Sequence, residues 1–218
     1  MRCRLLCAAR FATAGLVASA LAGCSLPNLG SGPPPDLYVL SPKSTFADDI
    51  PLVDWQLVVD EPSTAKGIDT DRIAIAPHPL EVKYFGGSRW ADRAPRMMQQ
   101  LLIQSFENTK KIVSVGRQSL GLRSDFILKT ELREFQAEKT AEGGTVVRVR
   151  LNLKLLRPAI GQIVASQSFE SVKPAASESV PDIVQAFDDA VGAVLKRAVV
   201  WTLVAGEQNK KTRPKDWD

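Results

Sequence analysis

The sequence stretch that decides the fold is residues 145–155, which read TVVRVRLNLKL. Hydrophobic and polar residues alternate through it, so one face of an extended chain carries only aliphatic side chains: Val147, Val149, Leu151, Leu153 and Leu155. The other face carries Arg148, Arg150, Asn152 and Lys154. Burial of the five aliphatic side chains would contribute on the order of 10 kcal/mol before conformational entropy is subtracted. The stretch therefore predicts a strand with one buried face and one solvated face.

Two similar segments flank this strand. Alternate residues of 126–132 share one face, and Phe135 falls out of phase, which predicts a bulge near Arg133-Glu134. A further strand is predicted at residues 160–172. Turn residues separate the three segments, as at Glu142-Gly143-Gly144, so they predict an antiparallel meander.

Two amphipathic helices are predicted around this meander. The first has Pro95 in its first turn and a broad apolar stripe of Met97, Met98, Leu101 and Leu102. We interpret its methionines as core residues and not as a lipid-binding surface. The second begins at Ser179 as N-cap, with Pro181 in the first turn and Asp182 three residues on. Both should pack on the same side of the sheet.

The N-terminal half adds short strands. They are predicted at residues 37–40, 55–59, 70–77 and 80–85, and Gly86-Gly87-Ser88 is predicted to turn the chain towards the first helix. The expected fold is an α/β protein of the α+β type. It is a single domain over residues 36–206, with a mostly antiparallel sheet and two main helices packed on one face. Residues 207–218 are polar and are expected to be a disordered tail.

The N-terminus has the pattern of a lipoprotein export signal. Three arginines precede an apolar run at residues 11–22, which is short for a membrane span, and the segment ends in Leu21-Ala22-Gly23-Cys24. Residues 1–23 are therefore predicted to be a signal peptide, and Cys24 is predicted to carry the lipid. Ser25 follows the lipidated cysteine where an aspartate would retain the protein in the inner membrane, so it favours the outer membrane with the domain in the periplasm. Residues 24–35 are predicted to form a flexible tether that three prolines stiffen.

The composition excludes several functional classes. Removal of residues 1–23 takes away three of the 28 basic residues and none of the 24 acidic ones, which leaves a formal net charge of about +1. The charge balance is thus no argument for nucleic acid, and no nucleic-acid partner is predicted. Cys3 and Cys7 leave with the signal and Cys24 is consumed by lipid, so the mature chain cannot form an internal disulfide.

No catalytic residue, metal site or cofactor is predicted. His78 is the only histidine and stands between two prolines, which gives no support to a histidine-based triad or a multi-histidine metal site. The pair Asp48-Asp49 is interpreted as part of a solvated loop, and Asp188-Asp189 as part of the polar side of a helix. The row Arg148, Arg150 and Lys154 has two interpretations: it contacts an acidic partner or lipid headgroups, or it pairs with cross-strand acids such as Glu131.

A cluster of Tyr84, Phe85, Arg89 and Trp90 is the candidate partner-binding site. Tyrosine, tryptophan and arginine are enriched at interface hot spots, and a glycine-containing loop can present them. The alternative is that Trp90 and Phe85 cover the end of the core.

The stretch YFGGSRWAD at residues 84–92 resembles the ABC-type transport auxiliary lipoproteins. The likeness extends over residues 38–201, through Leu57-Val58-Val59-Asp60-Glu61-Pro62, Arg72-Ile73-Ala74-Ile75 and Asp125-Phe126-Ile127-Leu128. The resemblance implies a non-enzymatic outer-membrane component of a lipid transport system. Its implied partners are an MCE-domain (mammalian cell entry) protein and an ABC permease and ATPase complex, besides the membrane that holds the anchor, and it leaves a homo-oligomer open. An envelope assembly or cell-wall synthesis activator lipoprotein is the competing interpretation, because fold and anchor alone do not specify function.

Overall fold

The computed structural model describes residues 33–118 and 124–212. The predicted signal peptide, Cys24 and most of the predicted tether lie outside the described residues, as do residues 213–218. The chain from Pro35 onward forms one compact unit. Its elements are β1 (Asp36–Tyr38), β2 (Val53–Val59), β3 (Ser63–Thr64), β4 (Arg72–Ala76), β5 (Lys83–Trp90), α1 (Ala94–Thr109), β6 (Ile112–Gly116), β7 (Phe126–Lys139), β8 (Thr145–Arg157), a 3-10 turn (Pro158–Ile160), β9 (Gln162–Pro174) and α2 (Val180–Lys211).

The predicted meander is confirmed. Strands β7, β8 and β9 pair antiparallel in sequence, and the expected bulge in β7 falls between Leu132 and Glu134. The aliphatic residues of β8 form the floor of the core, since their side chains are fully buried: Val147, Val149, Leu151, Leu153 and Leu155.

The remaining strands make the sheet mixed. Strand β8 occupies one edge of β7. Strands β2, β3 and β4 pair one after another with the other edge of β7, and all three run parallel to β7. Strand β6 extends the sheet beyond β2, while β5 and then β1 extend it beyond β4. The long pairings are antiparallel and most of the short ones are parallel. Hydrophobic alternation predicts a strand and its buried face, but it carries no information on strand direction.

The predicted turn at Gly86-Gly87-Ser88 is wrong, because these residues lie within β5. Register explains the glycines. Arg72 of β4 pairs with Arg89 of β5, and the next paired residues are Ala74 and Tyr84. More residues of β5 than of β4 lie between these two pairs, and the extra residues form a large bulge. Gly87 adopts a φ of +68° there, a conformation that favours glycine.

Both helices pack on one face of the sheet and share a single hydrophobic core with it. The methionines of α1 belong to this core: Met98 is fully buried and Met97 is nearly so. The predicted N-terminus of α2 is confirmed, since Ser179 Oγ accepts a hydrogen bond of 3.3 Å from the backbone N–H of Asp182. We call the sheet face opposite the helices the open face.

Helix α2 also enters the segment predicted as a disordered tail, which corrects that prediction for residues 207–211. The last turns pack on β2. A Cβ atom at Gly206 would lie 2.6 Å from the Trp55 ring, so the helix approaches the strand as closely as glycine permits. Lys210 also forms an ion pair with Asp54 of the same strand.

Within the described residues, neither helix combines the length and the apolar character needed to cross a membrane.

Candidate functional site

The predicted cluster lies on β5, whose two faces have different surroundings. Ser88 and Trp90 are buried on the helix side, and Arg89 is exposed on the open face. The cluster is therefore divided between the core and the surface.

Trp90 belongs to the core. Its side chain is only 1% exposed, and its ring centroid lies 5.1 Å from that of Phe187 and 5.5 Å from that of Phe135. Phe85 is half-buried and packs against the same core. The prediction that Trp90 faces a partner is corrected, because three packed aromatic rings leave no part of it accessible.

Tyr84 supports a neighbouring arginine. The Tyr84 hydroxyl donates a hydrogen bond of 3.0 Å to the backbone carbonyl of Gly67, which fixes the ring. The guanidinium carbon of Arg72 then lies 3.5 Å from the centroid of that ring. This is a cation–π contact, and it holds the Arg72 side chain across the open face.

Arg89 is held by a carboxylate. Its Nη1 donates hydrogen bonds of 2.9 and 3.2 Å to the two oxygens of Asp71. The hydrogen bond from Arg89 holds the pKa of Asp71 below its ordinary value. Arg89 is also the direct cross-strand partner of Arg72 in the antiparallel β4–β5 pair. Like charges in that position repel each other.

These residues border an open cavity of about 550 Å³ along the β5 bulge. Three of its lining residues are charged, and all three are basic: Arg72, Lys83 and Arg89. We call Arg72, Tyr84 and Arg89 the β5 arginine site. Among residues 33–118 and 124–212, no carboxylate forms a salt bridge with Arg72.

The arginine row of β8 has a different environment. Arg148 Nε donates hydrogen bonds of 3.0 and 3.1 Å to Glu138 and its Nη1 donates to Glu170, while Arg150 Nη2 lies 3.0 Å from Glu170. Glu134 lies 3.5 Å from Arg150 and 3.6 Å from Arg148. We call these five residues the β8 ion network. The hydrogen bond from Arg148 lowers the pKa of Glu170.

The network confirms cross-strand pairing for Arg148 and Arg150 but not for Lys154, and it corrects the acids. Glu131 forms its ion pair with Arg133, its neighbour beyond Leu132, and not with the row. Lys154 is exposed and lies opposite Lys129 of β7.

The other titratable residues singled out in the sequence do not form a reactive cluster. His78 lies on an exposed bend at the rim of a second cavity, of about 290 Å³, beside Glu138 and Arg148. Asp188 accepts a hydrogen bond of 2.6 Å from the backbone N–H of Ser41, which ties α2 to the N-terminal segment. Asp48-Asp49 is exposed. The described part of the chain contains no group of three or more side chains that could hold a metal ion.

A family model described as "ABC-type transport auxiliary lipoprotein component" matches residues 38–199. The chain belongs to this family. The match spans β1 to most of α2, so it covers nearly the whole folded unit of this auxiliary lipoprotein. Membership in a lipoprotein family supports attachment to a membrane of the cell envelope.

Two solved structures and one curated relative resemble this auxiliary lipoprotein. A crystal structure of a Xanthomonas campestris protein shares 32% identity with a TM-score of 0.77, over 81% of this chain and 99% of that one. A second structure has 13% identity and a TM-score of 0.54 over 81% of this chain and 99% of that one, and it shows the fold alone. An uncharacterized Bradyrhizobium diazoefficiens protein is 30% identical over 155 residues. The match covers 68% of this chain and 40% of that relative's length.

The sequence prediction missed Arg72 and Asp71 at the β5 arginine site of this auxiliary lipoprotein. Alternation around the buried Ile73 does place Arg72 on the open face. Its cross-strand partner could not be predicted, because the bulge in β5 shifts the register by several residues.

Proposed function

We propose that this auxiliary lipoprotein is a non-enzymatic periplasmic subunit of an MCE-type ABC phospholipid transport system, anchored in the outer membrane. The observation that carries the proposal is the family match across nearly the entire folded unit. The description of that family is of an auxiliary transport component, which is a role in assembly with a transporter and not in covalent chemistry.

The anchor supports the proposal independently. Leu21-Ala22-Gly23-Cys24 predicts lipidation at Cys24, and Ser25 favours the outer membrane. Residues 25–35 separate Cys24 from the first residue of β1. Fully extended, that segment reaches about 40 Å. The domain is thus tied within a short distance of the membrane from which it would meet its MCE partner.

Replacement of the lipidated cysteine tests the anchor. We expect Cys24→Ala to remove the protein from the outer membrane, because only that sulfur can form the thioether, and stable anchoring requires several acyl chains at about 0.8 kcal/mol per buried CH₂. Fractionation after detergent-free lysis measures this. Ser25→Asp is the matched control: it should keep the lipid and move the protein to the inner membrane. Wild-type sedimentation of Cys24→Ala in the absence of the partner would contradict the anchor.

Co-purification tests the transport role. The lipidated protein, solubilised and captured from cells that express the neighbouring genes, should retain an MCE-domain protein and its ABC permease and ATPase. Retention of a penicillin-binding protein or an outer-membrane β-barrel assembly factor, without any MCE protein, would instead support an envelope assembly or cell-wall activator role.

A further inference from the structure

We propose that the β5 arginine site binds the phosphate group of a phospholipid headgroup on the membrane that carries the anchor. This inference rests on the proposed function, because it requires a membrane-tethered domain. It names the surface by which that domain touches lipid.

The charges of Arg72 and Arg89 favour an anion between the two side chains. Arg72 and Arg89 face each other directly across β4 and β5, and within the described part of the chain only Arg89 of the two has a carboxylate partner, Asp71. A phosphate between the guanidinium groups would offset their repulsion and supply oxygens to the unpaired donors of Arg72. Planar guanidinium groups match phosphate geometry in a bidentate manner.

The arginines are positioned before any ligand arrives. The ring of Tyr84 stacks on the Arg72 guanidinium, and the Tyr84 hydroxyl is hydrogen-bonded to Gly67. Asp71 orients Arg89 through a hydrogen bond. The cavity wall between them is open, since a Cβ atom at Gly86 or Gly87 would meet nothing within 4 Å. A headgroup can therefore approach the site without rearranging it, which lowers the entropy cost of binding.

Exposed apolar side chains lie along the cavity and in the loop that leads into it. Leu80 is fully exposed in the loop before β5, and Val82, which lines the cavity, is 56% exposed. On the other side, Leu37 of β1 is 65% exposed and pairs with Arg89. Cations beside protruding apolar side chains are the pattern of surfaces that rest at a lipid interface. A protein partner is the competing explanation, and the vesicle experiment below distinguishes the two.

The order of the strands also distinguishes this surface from the opposite edge of the sheet. Strand β1, which carries Leu37, is the first element after the predicted tether and pairs with β5 at the site. In the order of strands, β1 and β6 lie at opposite ends. The β5 arginine site thus adjoins the strand with which the fold begins, and the β6 edge offers a matched control. Val113 on β6 is 68% exposed, similar to Leu37.

A single introduced thiol can test contact with lipid in the full lipidated protein. The mature chain would have no free thiol, because Cys24 is lipidated and the other two cysteines precede it. Leu80→Cys and Val113→Cys are each labelled with a polarity-sensitive fluorophore and reconstituted into vesicles of phosphatidylglycerol and phosphatidylethanolamine. We expect a blue shift and a rise in intensity at position 80 and neither at position 113. Equal spectra at both positions would overturn the proposal.

The arginines are tested in the Leu80→Cys background. Arg72→Gln together with Arg89→Gln should abolish most of the blue shift, whereas Arg133→Gln, which removes another exposed arginine, should leave it unchanged. Sedimentation with the vesicles is measured on the same samples. In the Leu80→Cys protein that keeps both arginines, sedimentation without any shift would reject the lipid site and leave the anchor and the proposed function intact, as would a full shift in the double arginine variant. Loss of sedimentation in the unsubstituted protein would reject the anchor itself.

Titration in a phosphate-free detergent separates the two sources of phosphate. Short-chain phosphatidylglycerol should bind, and the double arginine variant should weaken that binding about tenfold or more, as expected for the loss of charge-assisted hydrogen bonds. Inorganic phosphate that binds as tightly as the lipid, without a fluorophore shift on vesicles, would overturn the headgroup assignment in favour of a free phosphate. Arginine variants that lose a co-purifying protein but keep the vesicle shift would overturn it in favour of a protein interface.

Discussion

Two arginine pairs on the open face of the same sheet have opposite surroundings. In the β8 ion network, Arg148 and Arg150 share three glutamates, and their side chains are 29% and 35% exposed. At the β5 arginine site, Arg89 alone is paired with an aspartate among the described residues, and its side chain is 45% exposed. Residue type and sheet face are the same in both. What differs is the number of carboxylates within reach, and that number separates a structural pair from a pair able to bind an external anion.

The comparison also separates what each pair contributes to folding. Partly buried charges that are hydrogen-bonded to carboxylates stabilise the arrangement of the strands that carry them, whereas exposed charges contribute little. The β8 ion network joins β7, β8 and β9. The β5 arginine site has like charges across a bulged strand pair. It therefore contributes little to the free energy of folding, and its arginines are available to a ligand.

The largest expected effect tests whether β5 divides as the structure indicates, with core on one face and a binding surface on the other. Trp90→Ala should lower the free energy of unfolding by about 3 to 5 kcal/mol, because it empties a site between Phe135 and Phe187. Arg89→Ala, its neighbour on the exposed face, should cost no more than about 1 kcal/mol. Urea unfolding in non-ionic detergent measures both. Equal losses for the two variants would contradict the division.

That division marks the limit of the sequence prediction. Trp90 and Arg89 are adjacent and of types common at interfaces, which predicts one cluster, yet adjacent residues of a strand point to opposite faces. Alternation separates the two residues only where residues 86–88 are strand, as they are in β5. The two glycines indicated a turn, because a glycine-rich bulge and a glycine-rich turn have the same local composition.

Other parts of the fold could be predicted because their information is local. The alternating residues of β8, the Ser179 cap and the apolar stripe of α1 each specify their own element. The parallel pairings of β7 could not be predicted, because they join segments far apart in the chain. The same is true of the acids that pair with Arg148: Glu170 lies on another strand, and the β7 bulge determines that Glu134 and Glu138 reach the row while Glu131 does not.

A matched pair of substitutions tests the central comparison at an intermediate effect. Arg148→Gln should destabilise the protein by about 2 kcal/mol, because it removes charge-assisted hydrogen bonds, deprives Glu138 of its arginine and leaves two glutamates to Arg150 alone. Arg72→Gln should change stability by less than about 0.5 kcal/mol, and any change should be stabilising, since it relieves the repulsion with Arg89. The midpoints of urea unfolding at constant slope provide the measurement. A cost at Arg72 that matches the cost at Arg148 would remove the distinction between the two pairs.

The smallest expected effect concerns pH, and it distinguishes the two regions by where their carboxylates titrate. The hydrogen bond from Arg148 holds the pKa of Glu170 below its ordinary value of 4.5, so the ionised carboxylate stabilises the folded protein above about pH 4.5. That contribution is lost as the pH falls through the lowered pKa of the folded state. Arg148→Gln should therefore make the decline of stability below pH 4.5 shallower.

Asp71 also stabilises the folded protein when it is ionised, but at a lower pH, because the hydrogen bond from Arg89 lowers its pKa from an ordinary value of 3.8. Arg89→Gln should flatten only the part of the stability curve below about pH 3.8, and Arg72→Gln should leave the curve parallel to that of the wild type, because Arg72 is not hydrogen-bonded to Asp71. Thermal midpoints measured from neutral pH to about pH 3 resolve these differences. The contributions of the other carboxylates are common to all variants and cancel when the curves are subtracted. A flattened curve for Arg72→Gln would mean that Arg72 already pairs with a carboxylate in solution. Arg72 would then not be available to bind a headgroup phosphate.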